Sequence, residues 1–403
     1  STHRRWPVRF AELVSGTNIG TGVVVGIMKI VFIIDYFDGP VAGTQTQLMV
    51  LIRGLLKKGL RPQLMVFRPT AFTSAASDFL CPISCLNVYR ILSLRALITM
   101  FRFVLALKRD GVDIVQIFFN DASILVPFFA RMAGCKVIVS RRDMGFWYTR
   151  SILASLRTAN LFVDRITANS MAVADNVAKK EWVRRKKMQI IYNGYAISRM
   201  EQSPATNFRE EHGIGQGDPI IGIVANFTPV KRHEDLLRAF SEVHRSKPSA
   251  HLVLVGIGEL HERLGTLTGQ LGLERYIHFL GGVTEVIPIV KHFDVGVLCS
   301  ESEGFSNALI EYMACGVPPV CTAVGGNVEL VTDHINGLLV SVGDVKGLAT
   351  SIASLLDDRG LATRIGQRAR ESVERLSEDS MVNEHLKMYT ELCSGVAEAK
   401  SSG

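Results

Sequence analysis

No two cysteines in this sequence are spaced C-x-x-C, and the seven present, an odd number, are scattered from Cys81 to Cys393. That pattern excludes a disulfide framework and a paired-thiolate zinc site, and it reads as a chain kept in a reducing cytoplasm. Cys81 and Cys85 are four residues apart, but no further thiolate or histidine stands near them, so no metal site is expected. Glycine (35) and proline (13) are too few and too scattered for a fibrous or low-complexity protein. Long apolar runs are also missing. The most apolar stretch, 19–34, is broken by Gly20, Gly22, Gly26 and Lys29 and falls short of the roughly 20 residues that a membrane span needs. Arg4, Arg5 and Arg9 ahead of it resemble the start of a signal peptide, yet Glu12 and Asn18 interrupt and no small-residue cleavage site follows cleanly.

What is present describes an ordinary globule of more than one domain. Hydrophobic residues make up 47% and charged residues 21% of 403, which excludes a disordered chain and favours two domains. The charge is unevenly divided. Residues 1–200 carry 28 Lys+Arg against 11 Asp+Glu, a balance of +17, whereas residues 201–403 carry 17 against 27, a balance of −10. A basic half suits an anionic lipid surface or a phosphorylated ligand. No nucleic-acid-binding motif accompanies it, so nucleic acid is not expected as a partner.

From Met28 onward, short β-branched runs alternate with helical patterns. The runs KIVFIID (29–35), QLMVF (63–67), DIVQIF (113–118), KVIVS (136–140), RITAN (165–169) and QIIYN (189–193) predict strands in the first half. IIGIVAN (220–226), HLVLVG (251–256), IHFLG (277–281), VGVLCS (295–300) and PPVCT (318–322) do so in the second. Helical patterns at 44–58, 94–109 and 171–181 lie between strands of the first half. Continuous apolar strands separated by helices indicate parallel sheets covered on both faces. The fold class is therefore α/β, with two doubly wound, Rossmann-like domains facing across a cleft. An extension at 1–27 precedes a domain at 28–200. A polar linker near Pro204 leads to a second domain at 208–376, and a helix at 377–403 is expected to cross back to the first.

The densest chemical signal is SESEGFSNALIEYMACGVPPV, 300–320, directly after a predicted strand. Glu303 and Gly304 then sit at a strand's carboxyl end, where open α/β sheets bind ligands. Ser306 or Asn307 can cap the following helix, whose first amides would face an anion or sugar hydroxyls. Glu303 in the loop and Glu311 on the helix can reach two parts of one elongated ligand. In GIVANFTPVKRHEDLLRAF, 222–240, Lys231 and Arg232 open a helix after a strand, a suitable place for a phosphate-binding lysine. Gly256-Ile257-Gly258, Ala42-Gly43-Thr44 and Asn193-Gly194 are further turns that follow strands; each is weak evidence alone.

In this order the motifs resemble family 4 retaining glycosyltransferases of the GT-B fold, over roughly residues 29–395. The resemblance implies a nucleotide-diphosphate sugar as donor substrate, with no metal and no cofactor. By position, Lys231 would bind the diphosphate, Glu311 the ribose hydroxyls and Glu303 the transferred sugar. The amides of Phe305, Ser306 and Asn307 would contact sugar or phosphate, Val283 would pack by the base, and Gly43 would admit the diphosphate. Three departures stand out. Asn226 occupies the place of an arginine that clamps phosphate in many members, leaving Arg232 or an arginine of the first domain to substitute. The histidine often found after the strand at 136–140 is replaced by Ser140-Arg141-Arg142-Asp143, so Arg141, Arg142 and Asp143 are candidates for orienting substrate, Asp143 as a catalytic group. Ala196 stands where an aspartate is common. The basic, apolar helix 94–109 and the run 179–187 around Trp182 suit an anionic membrane surface. The expected activity is glycosyl transfer in bacterial glycan assembly, with a lipid-linked or polysaccharide acceptor, by a cytoplasmic enzyme peripheral to the membrane. A non-catalytic sugar-nucleotide-binding scaffold and a GT-B epimerase are the alternatives.

Overall fold

The computed structural model describes residues 28–39, 43–75, 79–204 and 206–401. The expected extension at 1–27 and Ala42 of the A-G-T turn lie outside the described residues. The chain forms two compact units. The first comprises residues up to Asn169, Val173–Gly194 and the segment from Glu378 on, and the second comprises Ser170–Ala172 and Tyr195–Ser377.

Among its described residues the first unit holds a seven-stranded parallel sheet. Its strands are β1 (Ile30–Ile34), β2 (Gln63–Val66), β3 (Ile83–Cys85), β4 (Ile114–Phe118), β5 (Lys136–Arg141), β6 (Arg165–Ala168) and β7 (Met188–Ile190), in the order β3-β2-β1-β4-β5-β6-β7. Alternate side chains explain why both faces are covered. Val31 and Ile33 of β1 enter one core, and Ile30, Phe32 and Ile34 enter the other. The second core includes Met381, Val382 and Tyr389 of the helix Glu378–Ser401. A Cβ on Gly54 would come within 2.2 Å of Val382, so the helix Gly43–Lys57 needs glycine there to approach it. A buried polar row crosses this sheet. Gln116 donates to Ser140 Oγ at 2.9 Å, Thr167 donates to the same hydroxyl at 2.9 Å, and Tyr389 donates to the Gln116 carbonyl oxygen.

The second unit holds β8 (Ile220–Val224), β9 (His251–Val255), β10 (Ile277–Gly281), β11 (Val295–Leu298), β12 (Pro319–Thr322) and β13 (Leu338–Val340). They pair in parallel in the order β10-β9-β8-β11-β12-β13. Strands β9, β11 and β12 are buried at every residue. The boundary falls at Gly194–Tyr195 rather than at 200. Part of the expected linker is the helix Ile197–Gln202, which packs on the helix Asn307–Ala314, and Lys291 Nζ donates to the Glu201 carbonyl at 2.6 Å.

Along the β9–β10 edge His251 and His278 meet ring to ring, with Nδ1 and Nε2 2.9 Å apart. Burial, then the neighbouring His251 and His212, pushes His278 down from about 6.5 to about 4, and burial lowers His251. A histidine whose folded pKa lies below its unfolded value stabilises the fold fully above the unfolded pKa and loses that contribution as pH falls toward the folded one. Asp35, pushed up to about 6, and Glu311, pushed up to about 7, act in the opposite sense. The contribution of the histidine pair therefore emerges by difference. Between about pH 7 and pH 5 the melting temperature should drop further in the native protein than in the His251→Asn/His278→Asn variant. Equal drops would show that the pair does not gain protons on unfolding.

Candidate active site

In the second sheet the chain proceeds from β8 through β9 and β10 to one side, and from β11 through β12 and β13 to the other. The winding reverses between β8 and β11, and ligands bind beyond the strand ends at such a point. The turn after β8 carries Lys231, and the loop after β11 carries Glu303. Two sets of bonds join them: Cys299 Sγ contacts the carbonyls of Lys231 and Arg232 at 3.3 Å, and the Glu301 amide donates to the Val230 carbonyl at 2.7 Å. Lys231 Nζ then donates to Glu303 Oε1 at 2.6 Å, and Ser300 Oγ donates to the same oxygen at 2.6 Å. Both bonds fall on Oε1, leaving Oε2 without a protein donor among the described residues. Glu303 is buried, whereas the Lys231 side chain is 24% exposed.

Backbone contacts fix that carboxylate. Thr322 Oγ1 donates to the Ser300 carbonyl at 2.6 Å, and the Gly326 amide donates to the Glu303 carbonyl at 3.2 Å. A Cβ on Gly325 would stand 1.8 Å from the Glu303 carbonyl oxygen, and one on Gly326 would stand 2.2 Å from that of Gly304. Gly325 also has φ +48°, so no other residue fits without displacing Glu303. Ser300 and this glycine pair escaped the prediction of site residues. The spacing S-x-x-E and the sequence V-G-G-N-V-E-L-V were visible, but what they touch was not.

Ser306 caps the helix Asn307–Ala314, accepting from the Leu309 amide at 3.3 Å. Phe305 is buried, and Asn307 Oδ1 accepts from the Tyr195 hydroxyl. Glu311, on the same helix, keeps a partial opening to solvent, yet burial pushes its carboxyl up to about 7. Gly256 serves close packing: a Cβ there would stand 2.0 Å from the Ala225 carbonyl oxygen, bringing the G-x-G turn against the chain leaving β8. Val283 is half-buried after β10, and Asn226 is exposed. Arg232 adopts φ +52° and donates to Asp235 Oδ2 at 2.6 Å, with Glu301 3.9 Å away. Its guanidinium already faces two carboxylates, which weakens it as a stand-in for the missing phosphate arginine.

Gly43, Asp143 and Asn193 belong to the first unit, at the carboxyl ends of its strands. Gly43 is exposed at the start of its helix. Four residues on, Gln47 grips Gly194, accepting from its amide at 2.9 Å and donating to its carbonyl at 3.0 Å. Arg142 donates to the Asn193 side-chain oxygen. Asp143 Oδ1 accepts from the Gly145 amide at 2.7 Å and Trp147 Nε1 at 3.0 Å, so it organises its own loop. Arg141, expected beside Arg142 and Asp143 as a substrate-orienting group, is engaged within the protein. It lies buried, donating to both Glu181 oxygens at 2.8 and 2.9 Å and to Ser123 at 2.9 Å. Removing one partner of such a buried pair typically costs about 3–5 kcal/mol. The run 179–187 is partly engaged by its own domain, with Lys179, Lys180, Arg184 and Lys186 exposed. Glu181 is buried, Arg157 stacks over Trp182 at 3.6 Å, and Lys187 Nζ donates to the Asn160 and Val163 carbonyls at 3.1 and 2.7 Å.

Two sequence families cover most of the chain: Glycosyltransferase Family 4 matches residues 41–199, and Glycosyl transferases group 1 matches 204–372. The N-acetyl-alpha-D-glucosaminyl L-malate synthase of Bacillus anthracis is 34% identical over 292 residues, 70% of this chain and 75% of that one. The chain belongs to glycosyltransferase family 4. A second family 4 relative is the N-acetylgalactosamine-N,N'-diacetylbacillosaminyl-diphospho-undecaprenol 4-alpha-N-acetylgalactosaminyltransferase of Campylobacter jejuni, 27% identical over 69% of this chain and 76% of its own. HepE of Anabaena, solved in complex with UDP, superposes with a TM-score of 0.80 at 22% identity, covering 90% of this chain and 100% of that one. The fold is GT-B, with two Rossmann-like domains.

Given the contact between Gly325 and Glu303, Gly325→Ala should lower the rate of sugar transfer by about 100-fold, the scale of a 1 Å misplacement at a reacting centre. Unchanged kinetics in that variant would show that Glu303 need not stand where the glycines hold it.

Proposed function

We propose that this glycosyltransferase moves a sugar from a nucleoside diphosphate to a lipid-linked acceptor in bacterial glycan assembly, retaining the anomeric configuration and using neither metal nor cofactor. The observation that carries this reading is the Lys231–Glu303–Ser300 cluster at the winding reversal of the second sheet. A lysine beside a carboxylate with one oxygen open suits a donor in which a diphosphate adjoins sugar hydroxyls. Lys231 would exchange its bond to Glu303 for phosphate oxygens, as a point charge on the leaving group. Glu303 Oε2 would accept from a hydroxyl of the transferred sugar. Amides at the start of the helix Asn307–Ala314 would face the same anion, and Glu311 would accept from the ribose hydroxyls. Asp143 would be left to orient substrate from the first unit.

In the reaction the bond from the anomeric carbon to the diphosphate oxygen breaks. The acceptor oxygen bonds to that carbon on the same face, and its proton passes to the departing phosphate. Charge on the leaving group is met by Lys231 and helix amides, which is why no metal is required. The UDP in the HepE complex and the diphospho-undecaprenol in the name of the Campylobacter relative supply the parallel for donor and acceptor. Among the described residues no helix is long and apolar enough to cross a membrane. The helix Leu94–Asp110 nevertheless exposes Leu94, Leu97, Ile98, Phe101 and Leu105 beside Arg95, Arg102 and Lys108. We infer that this face rests on the inner surface of the cell membrane.

Lys231→Ala and Glu303→Ala should each cut transfer by about 100- to 1000-fold with little change in melting temperature. Activity should persist in EDTA, and the product's anomeric proton should show the donor's configuration by NMR. An inverted product, or full activity in both variants, would overturn the mechanism.

A further inference from the structure

We propose that the groove between strand β3 and the helix Leu94–Asp110 is a second anion site, which takes the phosphate of an amphiphilic acceptor and lays its apolar chain along that helix. The inference rests on the reading above, since it names the chemistry of the acceptor. The groove encloses about 1430 Å³, and its lining residues all belong to the first unit. One wall is the sheet's edge, because β3 pairs with β2 and ends the strand order. There Ser84 is only 6% exposed, yet its hydroxyl makes no hydrogen bond. At the end of the same strand Asn87 also lines the groove, held at φ +55°.

The other wall supplies charge and grease. Arg95 and Arg102 both line the groove, seven residues and therefore about 10 Å apart along one helix face. Neither has a carboxylate within ion-pair distance among the described residues, unlike Arg68, Arg131 and Arg141, which pair with Asp121, Asp164 and Glu181 respectively. Two guanidinium groups without carboxylate partners on one wall of a groove select an oxyanion, and guanidinium suits phosphate. Leu94 and Ile98, between and beside the arginines, line the same space and lead onto the exposed Leu97, Phe101 and Leu105. That apolar path, continuous with the face placed on the membrane, suits an anion that carries an apolar tail.

The test is calorimetric, on the full chain, with decyl phosphate below its micellar concentration, inorganic phosphate, decyl glucoside and UDP as separate titrants. Decyl phosphate should bind at least about tenfold more tightly than either inorganic phosphate or decyl glucoside. Arg95→Gln/Arg102→Gln should weaken it by about tenfold or more, with UDP affinity and melting temperature unchanged. Equal binding of inorganic phosphate would reduce the groove to a site for free anions, and equal binding of decyl glucoside would make it merely apolar. Decyl phosphate binding indifferent to the arginine substitutions would overturn the proposal outright. If UDP alone fails to bind, the donor reading falls while the groove's own titrations still decide the groove.

Discussion

Two glycines pressed flat against the backbone of Glu303 and Gly304 set the geometry on which the donor site depends. Without side chains at 325 and 326, the loop after β12 can lie within hydrogen-bonding distance of the loop after β11. Glu303 is then held by its main chain, and Ser300 and Lys231 need only select which carboxylate oxygen remains open. A partly exposed ion pair of this sort adds little to stability, so its value lies in position. The lysine is stored against a counter-ion, in a place where a phosphate can replace that counter-ion. Parallel pairing of β8 with β11 brings the two residues, 72 apart in sequence, to one spot.

Burial decides the fate of otherwise similar charged residues. Arg141 and Glu181 pair through both carboxylate oxygens, with Ser123, Tyr148 and Asn160 taking further bonds, in a buried network. Lys231 and Glu303 form an unclosed pair, with one oxygen and one ammonium face still available. Glu311 is a third case. Desolvation alone raises its carboxyl to about 7, so near neutrality it stands ready to accept from hydroxyl donors that would favour its ionised form. The same distinction separates Arg95 and Arg102, without carboxylates, from Arg232, which faces two.

Local signals made much of this legible in the sequence. Apolar runs bounded by turns located most strands, and the loop-helix stretch from Glu303 to Glu311 marked the candidate site, because a strand end, a glycine, a cap and two carboxylates are all local in sequence. Strands β3 and β13 have three residues each, too few for any periodicity to register. Partners distant in sequence were hidden as well. Nothing around Arg141 announces Glu181, 40 residues on, and nothing in V-G-G-N says that its glycines lie on Glu303. For the same reason nothing in the run 179–187 shows that Glu181 is buried and that Lys187 bonds to backbone carbonyls, while Lys179, Lys180, Arg184 and Lys186 are exposed. Asn226 was legible as a departure, and it lies exposed beyond the end of β8.

The central claim is that Lys231, Glu303 and Glu311 of the second domain form a nucleoside-diphosphate site. Calorimetric titration of the full chain with UDP, GDP and ADP, each with and without Mg²⁺ and beside the Glu311→Ala variant, tests it most directly. The account predicts micromolar affinity for one of the three, indifferent to Mg²⁺ and weakened by the substitution. Absence of binding by all three would contradict it, and would mean that Asn226 marks a donor site that has been lost.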